Sequence, residues 1–443
     1  MAMSTQPVSD LASTDQAAVA SLPSRVSARV VIAGAVGSVV EYFDFGVYGY
    51  VATILATQFF AAGDSTSALL STLAAFAVAF VLRPVGGLIF SHFGDRYGRK
   101  NTLGATVLMM SAASGLIGVL PTYAAIGVGA SVLLVLARCL QGIAAGGELG
   151  GAIAFVAEHS PAGKRGLLCS MTQTGALAGV LLASICVALL NQFLSKESMT
   201  QWGWRVPFLV AIPVGLFGLW IRTELSEATS FKILEKTQGV EAAPFVELFR
   251  SHLPALLKSI GLSVLLFSLY YIAYVYVNIH LQRVVGLSSK LAFWSTTVTL
   301  AVSVLCMPLF GTLSDRIGRK PVFVFASLAA AIAAAPCFIL MNDGGMTAVA
   351  MQLILGVIES ALMGVAFSTF AELFPTRVRY TGIALGFNIG GVVAGGSAPF
   401  ICTWLVGALG SSIAPSYFLC FTALVTLLSA LTLKETAGSA LTI

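Results

Sequence analysis

The chain is expected to be all-α and integral to a membrane, with twelve transmembrane helices in two pseudo-symmetric six-helix bundles. Three observations predict this. The composition is 57% hydrophobic and only 10% charged, against about 25% charged in a soluble domain, so the surface must face lipid. The 443 residues contain twelve apolar stretches of spanning length, each near the ~20 residues that a bilayer-crossing helix needs. The polar motifs between them recur in the second half of the chain.

The elements follow in order. Residues 1–28 are rich in Ser, Thr and Ala and lack a basic n-region before an apolar core. They read as a disordered cytoplasmic tail and not as a cleaved signal peptide. Spans are expected at about 29–55, 67–92, 102–121, 126–157, 167–191 and 204–222, forming an N-terminal bundle over 29–222. A polar linker, 223–255, carries enough Glu and Lys for an amphipathic surface helix or two. The second bundle, 256–434, holds spans at about 256–280, 291–313, 321–341, 346–370, 381–408 and 414–433, and a short cytoplasmic tail covers 435–443. The runs are continuous rather than short and alternating, so they are helices and not barrel strands.

Lys and Arg set the orientation. With the N-terminus inside, eighteen of the 24 fall on the cytoplasmic side, four fall outside, and Arg83 and Arg138 lie within spans. Both termini are then cytoplasmic. The net charge of +5 is spread along the chain without a basic stripe, which argues against nucleic acid as a partner. The seven cysteines stand singly in apolar segments and read as small membrane hydrophobes. The lone His92 and His280 close the second and seventh spans, His280 at the outer surface, and suggest no metal site.

The repeat is explicit. F-G-D-R-Y-G-R-K (93–100) returns as L-S-D-R-I-G-R-K (313–320), 220 residues later. Glu158, Pro161 and Arg165 return as Glu372, Pro375 and Arg379, each 214 residues on. Parallel six-helix repeats are a transporter architecture, with the substrate site at mid-membrane between the halves. Asp95, Arg99, Glu158, Arg165, Asp315, Arg319, Glu372 and Arg379 then form a cytoplasmic gate that makes and breaks ion pairs.

Six ionisable residues lie inside spans: Glu41, Asp44, Arg83, Arg138, Glu148 and Glu359. Facing lipid they would cost about 15–20 kcal/mol together, so they face each other or a cavity. Glu41, Asp44 and Tyr48 share one face of the first helix, and Arg138, Gln141 and Glu148 share one face of the fourth. An acid that pairs with arginine in one state and loses it in another changes its proton affinity, which is the physical core of proton coupling. Asp44 is the expected proton carrier, Arg138 its switchable partner and Glu41 the second candidate. Arg138, Arg83, Gln141, Glu148, Tyr48, Gln173, Asn388 and Glu359 are the expected substrate ligands. Tyr270, Tyr271, Tyr274 and Tyr276 in the seventh span divide between core packing and a substrate path suited to an ammonium group. Gly142/Gly146 and Gly147/Gly151 are small-residue pairs for close helix approach.

At this point the motifs resemble the major facilitator superfamily. G-S-V-V-E-Y-F-D-F-G-V-Y-G, L-R-P-V-G-G, R-C-L-Q-G-I-A-A-G-G-E-L-G-G and W-R-V-P-F are similar to its metabolite:proton symporter branch, over about 29–434. The resemblance implies the major facilitator fold and a secondary active transporter in the bacterial inner membrane. Relatives in that branch carry α-ketoglutarate, citrate, shikimate, proline and betaine. It supports Glu41, Asp44, Arg83, Arg138 and Glu148 as general machinery. Ser38 stands where the branch often has Asn, Ala228-Thr229 replaces a usual Ser-Pro, and Glu359 is an additional acid. The residues after the last span, 435–443, show no heptad pattern like the C-terminal coiled coil of the osmosensory betaine carriers, so an osmosensor is not expected. The expected function is proton-coupled import of a small organic acid or zwitterion by a monomer that needs no cofactor beyond the proton gradient. The alternative is a proton-driven antiporter exporting amphiphiles. No G-x-S-x-G, H-E-x-x-H or P-loop occurs, so an enzyme is not expected.

Overall fold

The fold is seen in a computed structural model, which describes residues 28–443 apart from 62, 98, 147–155, 159, 227–243, 440 and 442–443. Twelve long helices are present among the described residues. In the N-terminal half they are α1 (Ala28–Phe59), α2 (Ser65–Tyr97), α3 (Arg99–Val119), α4 (Val128–Gly146), α5 (Arg165–Phe193) and α6 (Arg205–Ser226). In the C-terminal half they are α7 (Leu253–Arg283), α8 (Ser289–Ile317), α9 (Arg319–Met341), α10 (Gly345–Leu373), α11 (Thr376–Leu409) and α12 (Pro415–Leu431). Nine of the twelve are long and apolar enough to cross a bilayer as single helices, and α6 joins them as a pair bent by 51° at its start. Two shorter apolar helices, in α3 and α12, complete the set. The chain is a multi-pass membrane protein. The amphipathic helix expected in the linker is Pro244–Ser251; the rest of that expectation falls on 227–243, outside the described residues.

The pairings repeat across the halves. α1 packs on α5, α2 on α4 and α3 on α6; α7 on α11, α8 on α10 and α9 on α12 are their counterparts. The helices form because lipid offers backbone groups no partner, so each apolar run satisfies itself internally. α1 and α7 are central: 83% and 94% of their apolar windows are buried, against 44% for α9. Between halves, α5 lies extensively along α8, whereas α2 meets α11 over a smaller seam.

Small residues set the closest approaches. A Cβ on Gly142 would strike the Ala79 carbonyl, and one on Gly146 the Arg83 carbonyl. The glycine spacing of α4 thus lets its backbone touch α2, which fixes Arg83 and Arg138 side by side. α7 contains a π-helical turn, Ile272–Tyr276, and α11 another, Gly391–Gly395. Such turns insert one residue and re-aim side chains. Here they carry Tyr274 and Tyr276 on α7, and Gly395 of α11 closes on Phe267 and Tyr271.

Candidate functional site: a buried charge cluster and an ion-paired gate

Four helices of the N-terminal half bring the charged residues together. Glu41 and Asp44 come from α1, Arg83 from α2, Ser114 from α3, and Arg138 and Gln141 from α4. All six are buried, none more than 3% exposed. Arg83 Nη2 pairs with Glu41 Oε1 at 3.0 Å. Its guanidinium also stacks over Phe45 at 4.4 Å and Phe80 at 4.5 Å. Arg138 donates from Nη1 to Gln141 Oε1 at 2.7 Å, and Gln141 Nε2 donates to Ser114 Oγ at 2.6 Å. The Arg138 guanidinium rests over Tyr48 at 4.2 Å. Aromatic faces are favourable neighbours for a desolvated cation, because the ring quadrupole presents negative charge.

The expected Asp44–Arg138 pair is not formed in this conformation. Both Asp44 carboxyl oxygens are buried without a hydrogen-bond partner. Arg138 is occupied instead by Gln141, by the rings and by a 3.4 Å bond to the Phe76 carbonyl. The acid that does hold an arginine is Glu41. Helical spacing places side chains on a face but does not choose among nearby partners in any one conformation; an open Asp44–Arg138 pair is one of the two states that a switchable pair requires.

Other expected ligands are distributed as follows. Tyr48 has spent its hydroxyl on the Thr72 carbonyl at 3.0 Å, so its ring, not its OH, serves the cluster. Gln173 on α5 and Asn388 on α11 each keep a buried side-chain oxygen without a partner. Glu359 on α10 is fully buried, with both carboxyl oxygens unpartnered. Near it, the Tyr274 hydroxyl donates to the Gly356 carbonyl at 3.1 Å, one turn away on α10. Glu148 lies outside the described residues.

Sequence reasoning missed what joins the halves. Tyr271 of α7 packs edge-on to Phe76 and Phe80 of α2, at 5.5 and 5.3 Å, and Tyr270 meets Tyr42 of α1 at 6.0 Å. The tyrosine run was visible in sequence, but its partners are contributed across the fold. His280 also departs from expectation: it is buried, not on the surface, with Nδ1 3.3 Å from the Tyr276 hydroxyl and its ring against Phe338.

On one membrane face the repeat loops meet as ion pairs. Arg165 Nη1 pairs with Glu372 Oε1 at 2.8 Å, and Arg379 Nη1 pairs with Glu158 Oε1 at 2.6 Å. These are the same contact exchanged between halves, as a pseudo-two-fold requires. Arg319 pairs with Asp315 at 2.9 Å and with Glu372 at 3.2 Å. Asp315 also accepts from the Gly166 and Leu167 N–H groups, at 2.8 and 2.9 Å, capping the start of α5 from the other half. The side chains of Asp95 and Arg99 lie outside the described residues.

The tail after α12 joins this face. Glu435 accepts backbone N–H bonds from Arg319 at 2.8 Å and Lys320 at 3.1 Å, Thr436 donates to Glu372 at 2.6 Å, and Arg165 reaches the Ser439 carbonyl at 3.3 Å. Burial pushes the Glu435 carboxyl upward, but donors from Arg319, Ala437, Lys320 and Thr436 outweigh this and leave it below the usual carboxylate range. No grouping of three metal-ligating side chains occurs among the described residues.

Two six-helix repeats, a charge cluster buried among their helices and an ion-paired face define a secondary transporter. More particularly, the chain belongs to the Major Facilitator Superfamily, whose description matches residues 34–394. It is a membrane transporter and not an enzyme. It is 38% identical over 423 residues to a glycine betaine/proline/ectoine/pipecolic acid transporter of Dickeya dadantii, covering 93% of this chain and 84% of that one. It is 36% identical over 420 residues to the proline/betaine transporter of Salmonella typhimurium, with the same coverage. Among solved structures, the D-xylose-proton symporter shares the fold with a TM-score of 0.74 at 19% identity, over 93% of this chain and 99% of that one.

Proposed function

We propose that the protein is a proton-coupled symporter that imports a small zwitterion, of the class of proline or glycine betaine, across the bacterial inner membrane. The observation that carries this reading is the near-full-length similarity to carriers of such zwitterions. The placement of charge is compatible with it: the central cluster of the N-terminal half holds Arg83 and Arg138 beside Glu41 and Asp44, and Glu359 is buried on α10. The substrate carboxylate is held by Arg138 or Arg83, with hydrogen bonds from Gln141, Gln173 and Asn388. The cationic end is directed toward Glu359 and the α7 tyrosines. Glu148 is proposed as a further ligand on the strength of the sequence alone.

Asp44 takes the proton. It stands beside Arg138 without bonding to it, so a small rotation of Arg138 would pair the two and release the proton. Glu41, already held by Arg83, is the reserve site. The Lys/Arg asymmetry supports an orientation with the ion-paired face and both termini in the cytoplasm. The protein works as a monomer with the proton gradient as its only energy source.

Uptake into proteoliposomes tests the reading. Radiolabelled proline or glycine betaine should accumulate under an imposed inward proton gradient and leak away on adding an uncoupler. Accumulation of neither, with outward movement of an amphiphilic dye, would establish the export reading instead.

A further inference from the structure

On the face opposite the gate, where α2, α7 and α11 converge, lies a cavity of about 270 Å³. It occupies the looser of the two seams between the halves. Its polar lining is Ser65 and Thr66 at the start of α2, Tyr276, His280 and Arg283 on α7, and Thr403 on α11. No carboxylate lines it among the described residues. The nearest acid at this end, Asp64, has its oxygens committed to Ser67 at 2.9 Å and Thr66 at 3.2 Å.

Two groups in the cavity are chemically unspent. His280 is fully buried, and its Nε2 has no partner. Its Nδ1 faces the Tyr276 hydroxyl at 3.3 Å. With that hydroxyl donating to Nδ1, the hydrogen of the neutral ring resides on Nε2, which becomes a donor. Arg283 stands one helical turn further along α7, three residues on, and forms no ion pair among the described residues. A buried N–H donor beside a guanidinium, with hydroxyls around and no acid, is a recognition set for a carboxylate.

We infer that this cavity is an outer vestibule site that binds the carboxylate of the substrate through His280 Nε2 and Arg283 before it reaches the central cluster. The inference rests on the import reading for its direction, since the vestibule meets substrate first only if this face is external. The volume admits a small amino-acid-sized zwitterion and excludes larger polyanions. Ser65, Thr66 and Thr403 supply further hydrogen bonds from both halves, so occupancy ties α2 to α11 at the seam that must close when the outer side seals.

The test uses the full-length protein in proteoliposomes with radiolabelled proline and glycine betaine. Arg283→Gln and His280→Phe should each raise KM about tenfold, the worth of one charged hydrogen bond, and leave kcat within about twofold. His280→Gln, which keeps an N–H donor, should restore much of the affinity and separate loss of the donor from misfolding. A fall in kcat at unchanged KM, or no change in either, would overturn the inference. A second readout does not depend on transport. Val284→Cys, at the rim, is labelled from outside by a membrane-impermeant maleimide, and the parent protein gives the background of its seven native cysteines. Proline or glycine betaine should slow this labelling, and Arg283→Gln should abolish the protection. Absence of protection at saturating concentrations would refute the vestibule site even if uptake succeeds. Protection without uptake would retain the site and refute the import reading.

Discussion

Arg83 and Glu41 show how the residue scale sets the energetics. Each is sealed from water, and their mutual attraction offsets the desolvation each would otherwise suffer. Removing one partner of such a pair leaves an uncompensated buried charge, at a cost of about 3–5 kcal/mol. We expect Arg83→Gln to lower the unfolding midpoint in detergent substantially and Arg83→Gln/Glu41→Gln to recover part of the loss. Thermal unfolding of the single and double variants measures the coupling, and additive losses would show that the pair does not stabilise the fold. Most of these residues were legible in sequence, because an ionisable side chain in an apolar run is conspicuous. Their pairings were not legible. Whether Arg138 bonds Asp44 or Gln141 depends on side-chain rotamers that helical periodicity does not contain. Ser114 carried no signal beyond being a polar group in an apolar helix, and the tyrosine run that includes Tyr271 was visible without its partners on α1 and α2.

At the scale of elements, the twelve helices followed from hydropathy, and their errors lie at the ends. α3 begins at Arg99 and not near 102, and α6 is preceded by a bent helical segment, Lys196–Gly203, that lies outside the expected 204–222 span. The π-turns in α7 and α11 were invisible, since an inserted residue changes hydrogen bonding without changing composition. They matter because α1 crosses α7 there: a Cβ on Gly49 would come within 2.7 Å of Val275. Gly49→Val should therefore wedge α1 from α7 across the substrate path. The expected outcome is normal membrane insertion with uptake reduced at least tenfold. Gly142→Leu on α4, which would press on the Ala79 carbonyl of α2, should destabilise the bundle as well, by roughly 1–3 kcal/mol of overpacking. Comparing expression and unfolding midpoints for the two variants distinguishes a blocked path from a damaged core.

Across the whole molecule, the repeat made the gate residues recognisable, and the exchanged pairs Arg165–Glu372 and Arg379–Glu158 follow its symmetry. The contribution of the tail was not foreseen, because 435–443 reads in sequence only as a short cytoplasmic tail and names no partner for Glu435. Its carboxylate caps α9, at whose start Gly318 takes φ +107°, a conformation that side-chain-bearing residues avoid. Since the folded Glu435 pKa is lowered, its stabilisation is fully present above the ordinary carboxylate value of ~4.3 and is lost as pH falls through the folded value. Glu435→Ala should cost about 1 kcal/mol, as for a lost helix cap, at pH 7. The difference from wild type in unfolding midpoint should shrink toward zero below about pH 4. A difference independent of pH would mean that the tail acts by packing alone.

The central claim is that the unpaired carboxyl of Asp44 couples the proton to substrate movement. The most direct measurement compares accumulation with exchange in proteoliposomes containing Asp44→Asn. We predict that this variant fails to concentrate radiolabelled proline or glycine betaine against a gradient but still exchanges labelled for unlabelled substrate. Concentrative uptake by Asp44→Asn at the wild-type level would contradict the account and transfer the coupling role to Glu41 or Glu359.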